Sequence, residues 1–189
     1  GAKGLVIFAH GSGSSRFSPR NSFVAETLQQ RGFATLLFDL LTEAEGRDRR
    51  NVFDIPLLGS RVAEAVSWAA TEPETRDLAT GLFGASTGAA AALVAAASMP
   101  EAVRAVVSRG GRPDLAGKAL FKAKAPTLLI VGGRDYEVIA LNEEAKAMMQ
   151  CERELAIVPG ATHLFEEPGT LEQVVDLAAD WFGRHLLPA

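Results

Sequence analysis

The stretch Gly81 to Met99, GLFGASTGAAAALVAAASM, is an apolar run that breaks at Gly84-Ala85-Ser86-Thr87-Gly88 and resumes as an alanine-rich segment. Its first part reads as a buried strand, and its second as a helix whose small side chains let it lie close against a sheet. The turn between them has a chemical reading. A nucleophilic serine must present its oxygen away from the backbone at a tight, strained strand-to-helix turn, and glycines two residues to either side remove obstruction. The following helix would aim its free N–H groups at developing negative charge. The plainer alternative is a glycine-rich connection in which Ser86 caps the helix.

Working outward, apolar β-branched runs recur with helical patterns between them. Strands are expected at Leu5 to Ala9, Ala34 to Asp39, Ala79 to Gly84, Val103 to Val107, Thr127 to Val131 and Leu155 to Val158. Helices are expected near Pro19 to Gln30, Phe53 to Ala70, Ser86 to Ser98, Tyr136 to Gln150 and Leu171 to Leu187, with Pro19, Gly32 and Pro100 as boundary signals. The alternation predicts an α/β fold: a doubly wound, mainly parallel six-stranded sheet with helices on both faces. Between the fourth and fifth strands, SRGGRPDLAGKALFKAKAP offers at most a short helix, and TEAEGRDRRN reads as a solvated charged loop.

Ligands in such sheets bind beyond the carboxyl ends of the strands. Those ends carry His10-Gly11-Ser12-Gly13 after the first strand, Ser86 after the third, Asp135 after the fifth and His163 after the sixth. A serine nucleophile needs a base, and the base needs an acceptor that holds its tautomer. Of three histidines, His185 sits near a helix C-terminus, His10 precedes a glycine turn that it can brace, and His163 lies in the loop VPGATHLF. Asp135 follows the turn GGR and is the expected acid, although an N-cap for the helix beginning at Tyr136 is its plain alternative. The order Ser86, Asp135, His163 on successive suitable loops favours a triad. Two N–H donors for the oxyanion are expected from Thr87 and Ser12, with Gly11 and Gly13 beside the latter. The same loop has no Lys of a phosphate-binding P-loop and lacks dinucleotide-fingerprint spacing.

Composition frames this reading. The chain of 189 residues, 48% hydrophobic, 22% charged and of net charge -4, fits one globular domain over residues 1–189 and argues against nucleic acid or an anionic membrane as main partner. A single cysteine, Cys151, excludes an internal disulfide framework and reads as structural. No run is long and apolar enough for a membrane span, and the opening GAKGLVIFAHGSGSS lacks a signal-peptide pattern, so a cytoplasmic location is expected. The missing initial Met points to a processed or excised piece, and the chain is open to being part of a larger fusion.

The motifs HGSGSS, GASTG, GGRD and GATHLF resemble, in order, the oxyanion loop, nucleophile elbow, acid turn and histidine loop of the α/β-hydrolase superfamily. More narrowly, the chain resembles the dienelactone hydrolase-like small esterases. The resemblance implies a Ser-Asp-His hydrolase of small carboxylic esters, lactones or thioesters with no cofactor and no metal. Dienelactone hydrolases proper carry cysteine as nucleophile where Ser86 stands, which favours carboxylesterase chemistry. The superfamily's first two strands are lacking, and no long insertion after the fourth strand supplies a lid, so a minimal, lidless site is expected. SRGGRPDLAG is also similar to hydrolase domains fused to phosphoribosyltransferases.

Substrate contacts are expected from Arg109 and Arg16, whose forks suit a carboxylate or phosphate, unless they pair as surface charges with Asp114, Glu43 or Asp54. Asp54, Ile55 and Leu57 are expected to line the pocket. Acyl transfer to an alcohol or amine, and a catalytically silent binding domain, are the alternative functions. The partner is a small-molecule ester, and the chain is expected to be a monomer or homodimer.

Overall fold

Apolar strands separated by amphipathic helices bury both sheet faces only if helices cover each side, and this architecture is realised. The computed structural model describes residues 1–188. The strands are β1 (Leu5–Ala9), β2 (Ala34–Leu37), β3 (Thr80–Ala85), β4 (Val103–Arg109), β5 (Thr127–Gly132) and β6 (Arg153–Val158), in the order β2-β1-β3-β4-β5-β6. Every pairing is parallel. The helices are α1 (Pro19–Gln30), α2 (Glu43–Gly46), α3 (Arg49–Val52), α4 (Ile55–Ala69), α5 (Thr87–Ser98), α6 (Ala119–Lys122), α7 (Tyr136–Met148) and α8 (Thr170–Leu186).

Residues alternate across each strand and feed two cores. Ile7, Leu82, Val106 and Leu129 pack with α4, α5 and α7 on one face. Phe8, Phe83, Val107 and Ile130 pack with α1 and α8 on the other, where Trp181 and Phe182 are fully buried. Nine residues of α5 are buried, from Thr87 to Ala96, so its alanines serve a close approach rather than an exposed face.

β1 and α1 fall on the expected residues, with the Ser18 hydroxyl accepting from Asn21 N–H at 3.3 Å to start the helix. Two expectations are corrected. The charged stretch after β2 is not a plain loop: Thr42 and Glu45 form a reciprocal capping box that starts α2, and Asp48 caps α3. α4 begins at Ile55 rather than Phe53 because the Asp54 carboxylate accepts from Leu57 N–H at 3.1 Å. Beyond β4 there is a 3-10 turn over Pro113–Ala116 and the single turn of α6, matching the short helical content expected there.

Candidate active site

Ser86 joins β3 to α5 with φ 54° and ψ -122°, in a region that L residues occupy at a cost of about 1–3 kcal/mol. The glycines around it are required by proximity. A Cβ on Gly84 would lie 2.5 Å from Ala89 Cα and 2.6 Å from Gly88 O, and one on Gly88 would overlap Ala9 O at the end of β1. The serine side chain makes no capping hydrogen bond to α5, which removes the plain alternative for this residue. Its peptide is held by the strand beside it: Ser86 N–H donates to Arg109 O at 3.4 Å, and Arg112 N–H donates to Ser86 O at 3.0 Å.

Asp135 likewise makes no side-chain cap to α7. Its Oδ2 instead lies 2.8 Å from His163 Nδ1. With the carboxylate ionised, this bond assigns the imidazole proton to Nδ1 and leaves Nε2 as the acceptor. The Asp135 side chain is 15% exposed and that of His163 41%, so the ring can meet a solvent-borne reactant while its acceptor stays sheltered. Gly110, next to the carbonyl that holds Ser86, passes close to the ring: a Cβ there would lie 3.5 Å from His163 Cε1. The end of β4 thus touches both the serine turn and the histidine.

The histidine loop is pinned by groups that sequence reading did not single out for it. Thr162 donates from its N–H (2.9 Å) and its hydroxyl (2.7 Å) to the two carboxylate oxygens of Glu167, and these bonds hold the Glu167 carboxyl below its usual range. Arg20 of α1 donates to Leu164 O at 2.7 Å and pairs with Glu166 at 3.0 Å. Phe165 turns through φ 55° and packs into the core of α1 and α8. Only the Thr-His-x-x-x-Glu spacing of 162–167 hinted at the carboxylate clamp.

At the end of β1, the chain register sets Ala9 beside Gly84, so the loop from His10 to Ser15 lies against the serine turn. A Cβ on Gly11 would be 3.1 Å from Ser86 Cβ. Ser14 N–H closes this loop onto Gly11 O at 3.2 Å. Thr87 is the first residue of α5, where backbone N–H groups have no intrahelical acceptor. His10 braces the loop, with Nδ1 2.9 Å from Gly11 O and Nε2 accepting from Leu40 N–H at 3.1 Å. His185 is remote from these loops, on α8 against Trp181.

The two arginines expected to meet an anionic substrate do not converge. Arg16 pairs with Asp39 through both its backbone N–H and its guanidinium. Arg109 is 7% exposed, lies 3.5 Å from Asn21 Oδ1, and has Phe165 over its guanidinium at 5.8 Å. Burial, with repulsion from Arg20 second, lowers its pKa to about 10. Neither pairs with Asp114, Glu43 or Asp54. It is Arg112 that binds Asp114, and Arg47 that binds Glu43.

A cavity of about 520 Å³ opens beside the His10–Ser15 loop, lined by Gly11–Ser15, Thr87, Leu40, Leu41, Val52 and Leu58 among others. The expected pocket residues are offset from it: Asp54 is spent on the α4 cap, Ile55 is in the core, and Leu58 takes the place of Leu57. Among the described residues, no cluster of three or more His, Cys, Asp or Glu side chains is placed to hold a metal, and no helix is long and apolar enough to cross a membrane.

This arrangement of a parallel sheet, serine turn and paired histidine defines an α/β hydrolase. Residues 2–180 match the family described as alpha/beta hydrolase domain, and the chain belongs to it, within its dienelactone hydrolase-like branch. A dienelactone hydrolase from Anabaena variabilis superposes with a TM-score of 0.96 at 60% identity, over 98% of this chain and 88% of that one. Est1E from Butyrivibrio proteoclasticus shares the fold at a TM-score of 0.74 and 18% identity, over 95% of this chain and 86% of that one. Proteins of two Mycobacterium tuberculosis strains, each named "Putative phosphoribosyl transferase", are 65% identical over 97% of this chain. The chain spans 42% of their length.

Proposed function

We propose that this hydrolase is a serine esterase acting on small carboxylic esters through an acyl-enzyme. The observation that carries the reading is the 2.8 Å contact between His163 Nδ1 and Asp135, beside a strained serine turn that serves no capping role. With Nδ1–H committed to Asp135, Nε2 takes the Ser86 proton as Oγ attacks the ester carbonyl. The carbonyl oxygen becomes an oxyanion facing the N–H groups of Thr87 and Ser12, and Asp135 stabilises the imidazolium. Nε2 then returns the proton to the departing alkoxide. Water, deprotonated by the same nitrogen, attacks the acyl carbon, and Nε2 passes that proton to Ser86 Oγ as the acyl C–O bond breaks and the acid leaves.

The phosphoribosyl transferase name belongs to relatives of which this chain spans 42%, and the reading of this part rests on its own Ser86, Asp135 and His163. The test is a fluorophosphonate probe followed by identification of the labelled residue, together with p-nitrophenyl acetate hydrolysis by Ser86→Ala. Labelling at Ser86 and loss of turnover in the variant are expected. An unlabelled Ser86 and undiminished hydrolysis in Ser86→Ala would sink the proposal.

A further inference from the structure

We infer that the cavity of about 520 Å³ beside the oxyanion loop is an acyl pocket for uncharged aliphatic chains, and that the α2–α3 segment sets the chain length it takes. The inference rests on the esterase reading and deepens it.

An ester poised on Ser86 has three groups on its carbonyl carbon. The carbonyl oxygen faces the Ser12 and Thr87 N–H groups, and the alkoxy oxygen must face His163, which protonates it on departure. The acyl chain is left to point away from the histidine. The cavity opens next to the turn and away from the histidine: Ser12 and Thr87, the chain neighbour of Ser86, line it, whereas Ser86 itself and the 162–167 loop do not, so an acyl chain would enter it past Thr87. Its size lies within the roughly 300–1,000 Å³ typical of small-molecule sites.

The lining selects the chemistry. Phe17, Leu40, Leu41, Val52 and Leu58 supply an apolar surface. The charged groups at the cavity are already neutralised, Asp39 by Arg16 and Glu43 by Arg47, so none is left to greet an anionic acyl group.

The wall contributed by Thr42, Glu43, Gly46, Arg47 and Val52 is built rather than loose. Arg61 of α4 forks onto Glu45 at 3.0 and 2.6 Å and also donates to Leu40 O at 3.2 Å, while Asn51 Nδ2 donates to Glu45 O at 3.0 Å. These bonds tie α2, α3 and the loop after β2 to one helix. A preorganised wall of this kind can discriminate chain length, since one methylene in a fitted pocket is worth about 10–200-fold.

The experiment fills the pocket from this wall. Gly46→Phe is suited to it because a Cβ at Gly46 meets nothing within 4 Å, and Val52→Phe is the second variant. Each is assayed on p-nitrophenyl acetate and octanoate, which vary the acyl group, and on ethyl and octyl acetate, which vary the alcohol. In both variants the octanoate-to-acetate ratio of kcat/KM falls about tenfold relative to the unsubstituted chain, and the octyl-to-ethyl ratio holds. An unchanged acyl ratio in both variants, a shift in the alcohol ratio instead, or an unsubstituted chain that cleaves acetate but not octanoate overturns the assignment. Fluorophosphonate labelling of Ser86 runs in parallel. Labelling with an unmoved acyl ratio refutes the pocket alone, whereas absent labelling with Ser86→Ala still active refutes the esterase reading beneath it.

Discussion

His163 Nδ1 and Asp135 Oδ2 meet at 2.8 Å across two loops that follow the last strands of the sheet, β5 and β6. The bond selects the tautomer in which Nε2 is a base. Asp135→Asn presents an amide that can donate to Nδ1 and so favours the opposite tautomer. The expected outcome is a fall in kcat of about 10⁴ with an intact fold, checked by steady-state kinetics and circular dichroism.

The torsion at Ser86, φ 54°, is one that glycine adopts without penalty. Ser86→Gly therefore abolishes ester turnover and raises stability by about 1 kcal/mol, read as an upward shift of the urea midpoint. A drop in that midpoint would show that the turn stores no strain.

Arg109 buries a cation against Asn21 and Phe165 with no carboxylate of the described residues bound to it. Replacing a buried charge by an apolar side chain of similar volume is commonly neutral or stabilising. Arg109→Met is expected to unfold at the same or higher urea concentration, by up to about 1 kcal/mol. Because the side chain is roofed by Phe165, kcat/KM changes by the same factor for anionic and neutral esters. A selective loss on anionic esters would restore a steering role for this arginine.

Glu167 clamps Thr162, and its carboxyl is held below the ordinary 4.5 by the two hydrogen bonds it accepts. A depressed folded-state pKa gives stability that is complete above the unfolded value and drains away as pH falls through the folded one. The Tm gap between the wild type and Glu167→Gln is therefore flat above about pH 5 and narrows in more acid buffer. Differential scanning fluorimetry across pH 3 to 8 checks it.

The fold was legible where local pattern and burial agree. β1 and α1 match the expected bounds because Gly11 and Pro19 punctuate runs buried by the sheet. β6 starts at Arg153, ahead of the expected Leu155, because on this edge strand the first two residues, Arg153 and Glu154, are charged and carry no apolar signal. Ser86, Asp135 and His163 stood out because each follows a strand. Arg20 did not, since its contacts reach Leu164 and Glu166, far away in the chain, and Glu167 did not, since its bonds to Thr162 leave no signal beyond a five-residue spacing. Arg109 misled for a related reason. Its position at a strand end suggested the site, but strand alternation turns its side chain toward the α1 and α8 side of the sheet.

The three side chains are not hung from equally secure places. Ser86 depends on β3 in the centre of the sheet, while Asp135 and His163 depend on β5 and β6, the latter an edge with solvent beside it. Sub-global opening draws on such edges first. Fraying of β6 would part His163 from Ser86 while both packed cores persist, so under the proposed mechanism the lifetime of activity on warming is set by one peripheral strand and not by the melting of the whole.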